Sequence, residues 1–166
     1  LREEALLRLG DVAALAGDYK KAIGEYERLL AEYQDSRFSR EARKRRIQCY
    51  VNDGNCTRAV ELAREWRAKQ PGRQDPELAY YYGIALVGIG SYEEALKEFS
   101  SVQADGQVAG PELREAASVQ VLGCQMMLGR NDEVLAGAVA FVKDYPQSRE
   151  ISLVLGRELG CSSEEL

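Results

Sequence analysis

Apolar residues recur at three- and four-residue intervals on both sides of a series of regularly placed glycines, a period that predicts helices and not strands. Gly17, Gly54, Gly90 and Gly129 follow one another at 37, 36 and 39 residues. Two positions after each come Tyr19, Cys56, Tyr92 and Asn131, and five after come Ala22, Ala59, Ala95 and Val134. Nine after lie Tyr26, Ala63, Phe99 and Ala138, and twelve after lie Leu29, Trp66, Val102 and Phe141. Eight before the glycine stand Leu9, Arg46, Tyr82 and Val121. Four in-phase copies of one pattern predict a repeat.

Each copy reads as a helical hairpin. The glycine closes the first helix, where a left-handed backbone is least costly without a Cβ. Asp18, Asn55 and Ser91 then offer N-cap oxygens to the second helix, and Ser91-Tyr92-Glu93-Glu94 has the form of a capping box. All four prolines, Pro71, Pro76, Pro111 and Pro146, fall between hairpins. Asp75-Pro76-Glu77 sets a cap before a first-turn proline. Gly10 and Gly83 on first helices, with Ala22, Ala59 and Ala95 on second helices, predict close helix approach. Leu29, Trp66, Val102 and Phe141 fill the space towards the next hairpin. A single hairpin cannot bury its apolar face, so the copies are expected to stack.

The order Leu-Gly, Gly-x-Tyr, Ala, aromatic, Pro resembles the tetratricopeptide repeat. Leu9-Gly10, Gly17-Asp18-Tyr19, Ala22 and Tyr26 carry the resemblance in the first unit. Tyr82-Gly83, Gly90-Ser91-Tyr92, Ala95 and Phe99 carry it in the third, while Pro71 and Pro146 close the second and fourth. The resemblance implies an all-α, right-handed superhelical solenoid of about four units, at 3–36, 40–73, 76–109 and 115–148. Residues 149–166 then form a C-terminal helix, as a cap or the start of a fifth unit. The closings Tyr33-Gln34-Asp35-Ser36 and Tyr145-Pro146-Gln147-Ser148 are similar to those of bacterial cell-envelope repeat proteins. They favour a periplasmic or outer-membrane-associated location over the cytoplasm.

Composition narrows the chemistry. The 166 residues include no His, so the commonest general base and the commonest metal ligand are both missing. Cys49, Cys56, Cys124 and Cys161 show no metal-type or redox-type spacing; buried thiols are expected, with disulfides left open. No phosphate loop, nucleophile elbow or paired-carboxylate motif is present, so neither an enzyme nor a cofactor is expected. The longest apolar run, Val134 to Val142, is too short to span a membrane. A net charge of -5 argues against nucleic acid as partner. The chain opens on Leu1 with an amphipathic stretch and reads as a segment of a longer protein.

What remains is a protein-binding scaffold. By the resemblance, first helices line a concave groove, which places there Lys44, Arg45, Gln48 and Asn52 of the second unit. Tyr80, Tyr81, Ile84 and Gly88 follow from the third unit, and Val119, Gln120, Gly123 and Met127 from the fourth. The family's carboxylate clamp is absent: its places hold Leu7, Asp11, Arg45, Glu77 and Tyr81, so a chaperone C-terminus is not the expected ligand. Tyr80 and Tyr81 are candidate anchors for a partner peptide, or else packing residues. The run Arg37–Arg46 carries six basic residues against one acid. It is either a site for acidic groups on the partner or a face paired with Glu25, Glu27 and Glu32. The last helix exposes enough apolar surface to support a homodimer. The alternative function is a structural spacer or self-association module with an empty groove.

Overall fold

The computed structural model describes residues 1–69, 75–105 and 109–159; Pro71 and Cys161 lie outside them. Among the described residues there are nine helices and no strand: α1 (Arg2–Leu15), α2 (Tyr19–Glu32), α3 (Ser39–Asn52), α4 (Cys56–Lys69), α5 (Pro76–Gly88), α6 (Tyr92–Ala104), α7 (Pro111–Met127), α8 (Asn131–Asp144) and α9 (Ile151–Leu159). Successive helices pack against one another, so the molecule is a solenoid of four stacked hairpins followed by α9. No described helix is long and apolar enough to cross a membrane.

The four turns share one geometry. Gly17, Gly54, Gly90 and Gly129 have φ of 78°, 80°, 77° and 70°, the left-handed region that other residues avoid. The amide after each glycine reaches back five residues: Asp18 to Ala13, Asn55 to Tyr50, Ser91 to Leu86 and Arg130 to Gln125, at 2.9–3.0 Å. That bond satisfies a carbonyl the helix would otherwise leave open. Asp18 accepts from the Lys21 amide at 3.1 Å and Asn55 from the Arg58 amide at 3.3 Å, as their N-cap positions predict. The Ser91 box does not form. The Ser91 amide is already spent on Leu86, and Glu94 instead accepts from the Tyr82 hydroxyl at 2.6 Å and from Arg64 at 2.9 Å.

Helices within a hairpin meet by matching large to small. A Cβ on Gly10 would fall 2.3 Å from the Tyr26 ring, and one on Gly83 would fall 2.7 Å from Phe99. Hairpins two and four reverse the arrangement. Ile47 and Leu122 stand where the glycine stood, and Ala63 and Ala138 where the aromatic stood, all four buried. Asp75 caps α5 through the Leu78 amide at 3.2 Å, with Pro76 in the first turn. The Tyr-x-x-Ser closings form identical corners. Ser36 donates to Glu3 and Ser148 to Glu115, both at 2.6 Å, and each serine accepts the amide two residues on.

The apolar interior falls into three clusters. One joins α1, α2 and part of α3; the largest runs from Ile47 through α4, α5 and α6 into α7; the third joins α7, α8 and α9. The first break lies at α3, where Arg43 and Arg46 hold apolar positions of the repeat. Arg46 is mostly buried with Nη1 3.6 Å from Glu27, and its Nε has no partner, so burial pulls its pKa down. Leu9, expected in the interior, is 52% exposed and Val12 65%. Their counterparts Tyr82, Val121, Cys49, Ala85 and Cys124 are buried because the preceding hairpin covers them. No described helix packs on that face of α1.

A candidate binding cleft

The first turns of α5 and α7, opened by Pro76 and Pro111, face the side of α3 across a concavity of about 880 Å³. Proline preorganises both starts and asks for no amide partner. The α3 wall brings Lys44, Arg45 and Gln48, spaced by three and four residues and so on one helical face. Tyr81 faces them from α5, and Leu113 closes the α7 side.

Opposite charges pair across this concavity. Lys44 Nζ binds Glu77 on α5 and lies 3.2 Å from Glu41. Arg45 holds Glu41 at 2.8 Å and Asp11 of α1 at 2.6 Å, and Asp11 also accepts the Tyr26 hydroxyl at 3.0 Å. Arg40 reaches Asp75 at 2.7 Å. The ladder therefore crosses α1, α3 and α5. Burial works to raise the Glu41 carboxyl, but the Arg45 hydrogen bond and Lys44 outweigh it, and the net shift is downward. Burial likewise works against the charge of Lys44 and Arg45; their carboxylate partners outweigh it, and both are raised.

The structure gathers four of the expected groove residues, Lys44, Arg45, Gln48 and Tyr81, into one cleft. Tyr80 is turned inward: its ring meets Phe99 edge-on at 5.7 Å and Tyr81 at 5.6 Å. Ile84 packs against the largest apolar cluster. Asn52 and Met127 are exposed at helix ends and Gln120 is half-buried, none of them lining the cleft. Two further groove expectations, Val119 and Gly123, lie against Leu153 and Val154 of α9, because the next first helix stacks there. Gly88 abuts the Cys56 Sγ of α4, and Leu7 is buried in the first cluster.

Of the acids expected to pair with the basic run, only Glu27 does so, through Arg46. Glu25 and Glu32 pair with Arg28 and Arg2 instead. Asp11 and Glu77 were read in the sequence only as clamp places and Asp75 only as a cap; their pairing with Arg45, Lys44 and Arg40 was not expected there. Cys49, Cys56 and Cys124 are all free thiols, and burial pushes both Cys49 and Cys124 up to about 11.

The fold has known counterparts. A solved structure of the MamA protein superposes with a TM-score of 0.71 at 17% identity, covering 95% of this chain and 82% of that one. A structure of MamA AMB-1 gives 0.66 at 20% identity, covering 96% and 85%. At such identity the likeness speaks for the fold alone. No curated protein matches the chain in sequence. Two family models described as tetratricopeptide repeat match residues 4–36 and 45–109, together more than half of the chain. The chain belongs to the tetratricopeptide-repeat family.

Proposed function

We propose that the chain is a non-catalytic protein-interaction scaffold that takes a segment of a partner protein in the cleft between α3, α5 and α7. The observation that carries this reading is the cleft itself, where first helices of three hairpins bring ionic, amide and phenolic side chains to one concave surface. Gln48 and Tyr81 are the proposed contact residues, with Lys44 and Arg45 framing them. Asn52, Gln120 and Met127 are proposed as outlying contacts for a longer partner. The proposed units are 3–36, 40–73, 76–109 and 115–148, with 149–166 as a cap or the start of a fifth. The two Tyr-x-x-Ser closings favour a parent protein of a bacterial envelope assembly.

The test is affinity capture on the immobilised chain against the double variant Gln48→Ala, Tyr81→Ala, with folding checked by circular dichroism. Partners held by the native chain and lost by the variant are expected. Equal capture by both, or by neither, contradicts the cleft reading.

A second reading is self-association. It is favoured by the exposed stripe Ala5, Leu9 and Val12 on α1 and by Leu153 and Leu155, 41% and 40% exposed on α9. Sedimentation across a concentration series separates the two: a monomer throughout removes the second reading.

A further inference from the structure

The chemistry of the ligand follows from how the cleft's charges are already spent; this rests on the cleft being the binding surface. Arg40, Lys44 and Arg45 each hold a carboxylate supplied by the fold, and the Arg37 guanidinium lies over the Phe38 ring at 4.6 Å. An acidic ligand must displace Asp75, Glu77, Glu41 or Asp11 from these cations. Exchanging one ion pair for another at a water-filled surface gains little. Such a ligand also approaches a chain of net charge -5. A basic ligand meets the same obstacle in reverse at Glu41, Asp75 and Glu77, and the two lining charges without an ion pair among the described residues, Arg37 and Glu112, are of opposite sign.

Two uncharged polar groups in the same cleft are differently placed. Gln48 and Tyr81 both line it and are half-buried, and neither side chain hydrogen-bonds to another described residue. A glutamine amide presents two donors and an acceptor, and a phenol presents one donor and an acceptor. A peptide main chain needs such partners for each N–H and C=O that a groove takes out of water. Leu113 offers an apolar surface beside them.

We propose that the cleft takes an extended peptide segment without net charge. Gln48 and Tyr81 bind its main chain, a small apolar side chain rests on Leu113, and the ion pairs hold the cleft open instead of reading the ligand.

The probe is a phage-displayed library of random peptides about 12 residues long, panned on the chain and on Gln48→Ala, Tyr81→Phe and Lys44→Met. Enriched peptides are then synthesised for titration. Expected are sequences of net charge near zero whose Kd changes less than about threefold between about 0.05 and 0.5 M salt. Gln48→Ala and Tyr81→Phe should each weaken them by about three- to tenfold, the range of one or two neutral hydrogen bonds, and Lys44→Met by less. Acidic or basic peptides with a steep salt dependence, the acidic ones lost in Lys44→Met, would overturn the inference and leave the cleft reading standing. If the chain enriches nothing over a Gln48→Ala, Tyr81→Ala control, the cleft reading itself fails and the inference goes with it.

Discussion

A methyl group on Gly83 would sit 2.7 Å from the Phe99 ring, inside a helix pair with no slack. Gly83→Ala is therefore expected to cost about 1–3 kcal/mol as overpacking, read as a lowered denaturation midpoint with an unchanged m-value. Thiol chemistry is a second check at this scale. With Cys49 and Cys124 pushed up to about 11, only about a thousandth of either is thiolate at pH 8. Both should resist a thiol reagent in the native chain and react fully once it is unfolded; rapid native labelling would show the α3 and α7 interiors to be open. The turn glycines, the Asp18 and Asn55 caps and the Gly10 and Gly83 contacts were legible in the sequence because each depends on residues within one hairpin. Tyr80 was not, since three consecutive tyrosines on one helix differ only in which neighbour each one meets. The Ser91 box failed because two acceptors competed for one amide and the glycine turn won.

The helix pair is the unit in which side-chain size is conserved. Hairpins one and three place glycine against an aromatic, while hairpins two and four place Ile47 or Leu122 against alanine. The sum matters more than the order, so Gly83→Ile should be rescued in part by Phe99→Ala. The expectation is a double variant more stable than Gly83→Ile alone, with a coupling of about 0.5–3 kcal/mol in a double-mutant cycle. Additive losses would mean that the third hairpin relies on its aromatic specifically. Within α3, Glu41 held by Lys44 and Arg45 sets a pH dependence. The Glu41 carboxyl is lower folded than unfolded, so its contribution is complete above the unfolded value of about 4.3 and is lost as pH falls through the folded value. Thermal melts should decline more steeply below about pH 4.3 for the native chain than for Glu41→Gln; parallel curves would remove the Glu41 pairs from the stability account. The pairs between helices were invisible in the sequence, because Lys44 and Glu77 stand 33 residues apart and meet only through stacking.

Over the whole molecule, the repeat phase gave the stack and its concave wall, but not which wall residues stay free. Stacking consumed Val119 and Gly123, Phe99 drew in Tyr80, and acids of α1 and α5 paired with Arg45 and Lys44, leaving Gln48 and Tyr81 uncommitted in the cleft. The solenoid's ends tell the complementary story: Leu9 and Val12 sit at positions the repeat buries elsewhere, yet no described helix covers them. The central claim is that a partner segment lies in the cleft and not on these ends. The most direct measurement is an amide NMR titration of the ¹⁵N-labelled chain with a peptide selected on it. The account expects shifts gathered at Lys44, Gln48, Glu77, Tyr81 and Leu113, with α4 and α6 unmoved. Shifts centred instead on Leu9 and Val12 of α1, or on Leu153 and Leu155 of α9, would contradict it.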